Sequence, residues 1–77
     1  MQIRHDPEHN IAYIRFRPKG EQVETIEISS ELNIDLAPNG ELYGIELLNA
    51  NEQLTAEGGV LQWMNLSTNQ LRELAVN

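Results

Sequence analysis

Apolar and polar residues alternate along most of the first 48 positions, a pattern that predicts β-strands. In residues 11–17, for example, Ala12, Ile14 and Phe16 share one side of the predicted strand, while basic and aromatic side chains occupy the other. Four other runs show the same alternation. The five predicted strands cover residues 2–5, 11–17, 23–29, 32–36 and 42–48.

Residues 32–50 contain the strongest hairpin signal, two alternating runs joined by a short turn. Pro38 fits the second position of a type I turn, and Gly40 supplies the left-handed residue that closes a bulged hairpin. The strand after the turn carries Tyr43, Ile45 and Leu47 on one side and Leu42 and Leu48 on the other. We therefore expect it to be covered on both sides near its ends, by the tail or by a second subunit. Gly44 leaves a gap in this strand where another backbone or side chain can pack closely.

The periodicity changes after residue 50. Four apolar residues follow at the spacing of one helical face, i, i+4, i+7 and i+8; they are Ala56, Val60, Trp63 and Met64. Two consecutive glycines at 58–59 weaken a helix by roughly 1 kcal/mol each, so a strand from 60 to 66 is the competing interpretation.

The last segment carries a helix-start signal. Ser67 and Gln70 have the spacing of a capping box, and Leu66 can pack onto Leu71 as a hydrophobic staple. We therefore predict a helical tail over about residues 55–75. The fold class is α+β: an antiparallel β-meander of about five short strands, over about residues 2–48, with one or two C-terminal helices packed on it. We expect residues 1–77 to form a single small domain.

Size and charge limit the classes of function. A 77-residue chain without cysteine has no disulfide to support a small core, so we expect a homodimer. The net charge is −7, with +2 on residues 1–19 and −9 on residues 20–77. Such a surface repels nucleic acid and anionic membranes and favours a basic protein partner. No apolar run is long enough for a signal peptide or a membrane span, so we expect a cytoplasmic protein.

The sequence offers little catalytic chemistry. His5 and His9 are four residues apart, but Pro7 places them on either side of a turn and not on one helix face. A metal site needs three or four converging ligands, so we predict no metal site, no cofactor and no catalytic residue. The alternative is a metal-dependent hydrolase that uses the turn between His5 and His9. The pairs Glu27 with Glu31 and Asp35 with Glu46 lie at predicted surface or turn positions, where carboxylates are usually solvated.

One surface combines aromatic and basic residues. Tyr13, Arg15 and Arg17 lie on one side of the second strand, an arrangement that can stack bases and neutralise phosphates. Weak binding of single-stranded nucleic acid is therefore the alternative function, although Glu24 and Glu27 could pair with these arginines. The predicted interaction surface consists of Tyr13, Arg15, Arg17, Leu48 and Trp63.

Three stretches, residues 5–16, 33–36 and 39–50, together resemble a small bacterial domain of unknown function, family 2283. The resemblance covers about residues 1–50 and implies a short β-meander with a helix. It also implies an antitoxin-like role, since some members are encoded beside small toxin-like proteins. The chain departs from the family pattern at His5, where an aromatic residue is usual, and at Asn10 and Leu36, where acids are usual.

These observations lead to one main hypothesis and two alternatives. The main hypothesis is a small cytoplasmic protein-interaction module with an acidic surface, because folding signals are clear and no catalytic set converges. Nucleic-acid binding and metal-dependent hydrolysis are the alternatives from other functional classes.

Overall fold

The structure is a computed structural model that describes residues 1–20, 22–56 and 58–75. These residues form seven strands and one short helix. In chain order they are β1 (Gln2–Asp6), β2 (Ile11–Arg15), β3 (Glu24–Ser29), β4 (Leu32–Leu36), β5 (Leu42–Leu48), α1 (Ala50–Thr55), β6 (Val60–Asn65) and β7 (Gln70–Ala75). The α+β class, with five antiparallel strands in the main sheet, is confirmed.

The strand order of the main sheet is β1-β2-β5-β4-β3, which differs from the sequential order of a simple meander. Strands β1 and β2 form one hairpin, and β3, β4 and β5 form a three-stranded meander. The two units join because β5 pairs with β2 along Ile11–Arg15. The connection between β2 and β3 therefore passes to the far edge of the sheet, and the final strand of the meander becomes the central strand.

The tight turn between β4 and β5 has the predicted form. The Gly40 amide donates to the Ala37 carbonyl over 2.8 Å, which closes a four-residue turn with Pro38 in its second position. Gly40 adopts φ 85°, the left-handed conformation expected there. Asn10 also adopts a left-handed conformation, φ 59°, at the end of the β1–β2 turn.

One isoleucine from each strand lies in a single line across the whole sheet. The register pairs Ile3 with Ile14, Ile14 with Ile45, Ile45 with Ile34, and Ile34 with Ile26. Directly opposed residues on neighbouring strands point to the same side of a sheet, so these five side chains form one row. We call them the isoleucine row, and the side of the sheet that carries them the apolar face; the opposite side is the polar face.

Helix α1 is short and is anchored to the sheet by asparagines. Asn49, at its start, adopts φ 58° and accepts a hydrogen bond from the Asn10 amide group over 3.2 Å. The Asn10 side-chain oxygen accepts a bond from the Asn51 backbone amide over 2.8 Å, and its carbonyl accepts one from the Ala50 amide over 3.1 Å. Gln53 donates to the Leu48 carbonyl over 2.6 Å. These bonds fix the direction in which the chain leaves β5.

The predicted helical tail over residues 55–75 is wrong in position and in type. The helix lies earlier, at Ala50–Thr55, and β6 and β7 form an antiparallel hairpin in the tail. Gly58 and Gly59 adopt φ 80° and 74°, conformations that interrupt a right-handed helix and that glycine tolerates. The competing strand interpretation for residues 60–66 is the correct one, since β6 covers Val60–Asn65.

The predicted capping box at Ser67 does not form, because Asn65 organises this segment as a turn. The Asn65 side-chain oxygen accepts hydrogen bonds from the backbone amides of Ser67 and Thr68 over 2.9 and 3.2 Å. Asn69 then adopts φ 57°, which turns the chain back into β7. A local side-chain bond of this kind competes directly with helix formation.

The core of this arrangement is small. Among the described residues, the buried apolar side chains are Ala12, Ala37, Tyr43 and Ala50, and no large side chain is completely buried. Sheet, helix and hairpin therefore leave many of their large apolar side chains partly in contact with solvent. Within the part of the chain that the structure describes, no helix has the length and hydropathy needed to cross a bilayer.

Candidate functional site

The apolar face is open on the side of β3 and β4. Ile26 lies on this face opposite Ile34 and is 39% exposed. Ile28, two residues further along at a bulge in the β3–β4 pairing, is 55% exposed. Strand β3 is an edge strand and every one of its residues is exposed. The alternation over residues 23–29 predicts this strand but does not indicate whether another element covers Ile26 and Ile28.

The other half of the apolar face is partly covered by α1 and the start of β6. An apolar groove of about 380 Å³ lies there between the sheet, the helix and the hairpin. Its lining is almost entirely aliphatic and consists of Ile3, Ile14, Gln53, Leu54, Ala56, Val60 and Leu61. The groove offers shape and apolar contact but few polar groups, so it is suited to an apolar side chain and not to acid–base chemistry.

The β6–β7 hairpin is apolar on both of its sides. The register pairs Leu61 with Leu74 on one side and Met64 with Leu71 on the other, and all four side chains are exposed. A two-stranded hairpin is only marginally stable in water unless another element covers it. The structure therefore contains a second apolar surface of the kind that is usually buried.

Trp63 belongs to this hairpin and is 52% exposed. The guanidinium carbon of Arg72, directly across from it in the register, lies 5.8 Å from the centre of the ring. A cation–π contact of this length at an exposed site contributes about 0.5–1 kcal/mol. Trp63 is thus held in place while one part of its surface stays accessible. Trp63 belongs to the two-stranded sheet, whereas the other four residues of the predicted surface lie in or beside the main sheet.

Tyr13 has a structural role on the polar face. Its ring lies over Gly44 of β5, and its hydroxyl donates a 2.6 Å hydrogen bond to Oδ2 of Asp35 on β4. The Thr25 hydroxyl donates to the other oxygen of Asp35, also over 2.6 Å, so the two bonds connect β2, β3 and β4. Burial, followed by the hydrogen bond to Asp35, raises the pKa of Tyr13 above its ordinary value. The close approach expected at Gly44 is confirmed, and the Tyr13 ring fills it.

The carboxylates predicted as a pair across the hairpin serve separate hydrogen bonds. Asp35 accepts the two hydroxyl bonds, whereas Glu46 accepts a 2.9 Å bond from the Asn33 side-chain amide. Bonds from neutral groups to both carboxylates explain their positions without a shared catalytic proton.

The basic residues of the predicted surface are also engaged within the chain. Arg17 forms an ion pair with Glu41, and its Nε donates a 3.1 Å bond to the Leu42 carbonyl. The expected pairing of these arginines with Glu24 and Glu27 has no support in the register, because β5 and β4 separate β2 from β3. Arg15 is half-buried in the sheet, opposite Gly44.

Leu48 is the last member of the predicted surface. It is half-buried and lies opposite Ile11 on the polar face, so these two residues form a small apolar contact beside Tyr13 and Glu46. The strand therefore has apolar side chains on both faces, as its sequence indicates. Leu48 contacts its neighbour strand in this way and has no free surface comparable to that of Ile28.

The two histidines of the first turn have different partners. The Nε2 of His5 donates to Oδ1 of Asn51 over 2.8 Å, which ties β1 to the helix. The Nδ1 of His9 lies 2.7 Å from Oδ2 of Asp6, and this hydrogen bond lowers the pKa of Asp6. Among the described residues, no group of three histidine, aspartate or glutamate side chains converges in a way that could hold a metal ion.

The sequence of this chain was compared with known proteins. A profile of DUF2283, described as a protein of unknown function, matches residues 2–51. The match includes all five strands of the main sheet and the first two residues of α1, and the β6–β7 hairpin lies outside it. Searches of curated proteins and of solved structures found no match.

Proposed function

We propose, from the premise that the chain belongs to DUF2283, a family of proteins of unknown function, that it is a protein-interaction module and not an enzyme. The observation that carries this proposal is the open half of the apolar face, where Ile26 and Ile28 meet solvent. The partner binds there and covers the isoleucines, and the β6–β7 hairpin extends the contact.

The free energy gained when apolar side chains are buried supports this role. Complete burial of an isoleucine side chain stabilises a protein by about 1.5–3 kcal/mol relative to leaving it in water. Apolar patches larger than a few hundred Å² are uncommon on monomers and mark sites of interaction. In this chain, large apolar side chains are exposed both at Ile26 and Ile28 and on the β6–β7 hairpin.

Side-chain footprinting tests the proposal directly. Ile26 and Ile11 are a matched pair, because they are the same residue type with 39% and 37% exposure, on opposite faces of the sheet. Hydroxyl-radical oxidation of the full chain in an extract of its native host should spare Ile26 and Ile28 while it modifies Ile11. Equal oxidation of Ile26 and Ile11 would show that the apolar face stays bare, and the proposal would be wrong.

The net charge of −7 supports a finer version of this role, in which the module binds a basic protein, as an antitoxin-like protein does. In this version the acidic residues of the polar face, such as Asp35 and Glu46, attract the basic partner to that face at long range. Attraction between exposed charges weakens strongly once the Debye length falls below about 10 Å, near 0.1 M salt. The association rate with a basic partner should therefore fall as salt is raised, and an association rate independent of salt would refute this version.

A further inference from the structure

We propose that the partner of the apolar face is a second copy of this chain. In this dimer the two apolar faces pack against each other about a two-fold axis and form a β-sandwich, and the β6–β7 hairpins are buried with them. This inference rests on the proposed function, because it names the partner that covers the same face.

The exposed area of one chain is the first argument. The chain has an accessible surface of 5786 Å² and a mass of 8.8 kDa. A compact monomer of that mass exposes about 4,800 Å², so this chain exposes about 1,000 Å² too much. A specific interface of standard size buries about 800 Å² on each partner. The excess therefore matches the area that one subunit contributes to a stable dimer.

The shape of the chain is the second argument. Its Cα radius of gyration is 13.8 Å and its extents are 35 × 33 × 21 Å. A compact domain of this length has a radius of gyration of about 11.5 Å, so the chain is flatter than a complete domain. Two sheets in a sandwich pack about 10 Å apart with their apolar sides inward. A second sheet on the apolar face would give the missing layer.

The distribution of charge is the third argument, since two chains of charge −7 must approach each other. In the described strands of the main sheet, the side chains on the same side as the isoleucine row are apolar except for His5, Ser29 and Glu24, and Glu24 at the outer end of β3 is the one acid among them. Glu27, Asp35 and Glu46 lie on the polar face, away from the proposed contact. Repulsion is therefore weakest in the orientation that brings the apolar faces together.

The symmetry of the contact follows from its composition. A two-fold interface uses the same patch on both subunits, so the patch must be complementary to itself. A row of identical aliphatic side chains meets this requirement, because isoleucine packs against isoleucine without a matching donor, acceptor or opposite charge. Each subunit has one half of its apolar face covered by α1 and Val60 and one open half around Ile28. In the dimer, the covered half of one subunit can lie beside the open half of the other.

Analytical ultracentrifugation of the full chain and two single variants tests this inference. Ile28→Lys places a charge in the proposed contact, and Glu27→Gln changes the net charge by the same +1 on the polar face of the same strand. Ile28 is 55% exposed, so its replacement should leave the sheet folded. We expect a dimer for the native chain, and the dissociation constant of Ile28→Lys should rise by roughly tenfold or more, because both subunits lose an apolar contact.

The control, Glu27→Gln, should keep the native dissociation constant within about twofold, as expected for a surface substitution outside the contact. Far-ultraviolet circular dichroism verifies that each variant is folded. If Ile28→Lys does not fold, the fluorescence of the single tryptophan in the native chain tests dimer formation without a variant. Quenching of Trp63 by acrylamide should decrease as the protein concentration rises from about 1 µM to about 200 µM.

A native chain that stays monomeric over this range overturns the inference, and so does an equal dissociation constant for Ile28→Lys and Glu27→Gln. Either result leaves the proposed function standing if footprinting in the host extract still finds Ile26 and Ile28 protected, because another protein then covers the face. Oxidation of Ile26 to the same extent as Ile11 would instead refute both proposals.

Discussion

The contact between Tyr13 and Gly44 gives a sharp prediction about stability. Gly44 is in the central strand β5, and it has no left-handed backbone conformation that would prevent substitution by alanine. Glycine within a strand costs about 0.5–1 kcal/mol relative to alanine, so the backbone alone predicts that Gly44→Ala stabilises the protein. The surroundings of Gly44 predict the opposite sign.

A Cβ atom at Gly44 would lie 2.5 Å from Cζ of Tyr13 and 2.9 Å from the Ile14 carbonyl oxygen. Both separations are well below van der Waals contact, so the Tyr13 ring must move. That movement strains the 2.6 Å bond from the Tyr13 hydroxyl to Asp35. Overpacking costs about 1–3 kcal/mol, and after the backbone gain we expect a net loss of about 1–2 kcal/mol in the free energy of unfolding.

Urea denaturation at one fixed protein concentration measures this loss, with circular dichroism as the signal. The control is the same alanine in a Tyr13→Val background, where no ring lies over Gly44. In that background the loss should shrink by about 1 kcal/mol or more, which is a coupling energy expected for residues in contact. A stabilising Gly44→Ala, or the same loss in both backgrounds, would show that the ring does not determine the choice of glycine.

Two further predictions concern side chains that organise the sheet. Because the pKa of Tyr13 is raised above that of the unfolded chain, its contribution to stability is complete below about pH 10 and is lost as the pH rises through the folded value. Spectroscopic titration should therefore find that Tyr13 ionises only at higher pH than an ordinary tyrosine, and a normal pKa for both tyrosines would contradict this. Asn10→Ala should lower the free energy of unfolding by about 2–3 kcal/mol, since it loses two side-chain hydrogen bonds and strains a left-handed residue. Asn10→Gly, which tolerates φ 59°, should lose about 1 kcal/mol less by the same denaturation assay, and equal losses would show that the backbone conformation is unimportant.

The alternating pattern predicts the strands well because most strands of the main sheet have one mainly apolar and one mainly polar side. All five strands are found, two of them with the predicted bounds and three with differences of one or two residues at an end. The turn at Pro38–Gly40 and the left-handed Asn10 also follow from local chemistry, which needs no knowledge of distant residues. These features depend on neighbours in the sequence and could be predicted for that reason.

Strand order depends on distant pairing, and alternation within a strand carries no information about its neighbour. The position of β5 between β2 and β4 could therefore not be predicted from the sequence. The isoleucine row depends on that pairing, so it could not be predicted either. The prediction of a helical tail was wrong for a different reason. Its apolar spacing suits a helix and a two-sided hairpin equally well, and the result depends on Gly58, Gly59 and the turn bonds of Asn65.

The error in the tail bears on the candidate site. A helical tail would have covered the apolar face and completed a core within one chain, and the exposure of Ile26 and Ile28 could then not have been inferred. With a hairpin in its place, most of the cover comes from α1, which is six residues long and lies near one half of the face.

A sheet with one apolar side needs cover before it is stable in water. The DUF2283 match ends at residue 51, so the matched unit contains the whole main sheet. It includes only the first two residues of α1 and none of the β6–β7 hairpin, the elements that could cover the sheet. Whatever buries the open half of the isoleucine row must therefore come from outside that unit, and the hairpin of the same chain leaves Ile28 exposed. In the proposed dimer, folding and association therefore share one surface. That is why an interaction role is a better account of the apolar face than a solitary, self-contained domain.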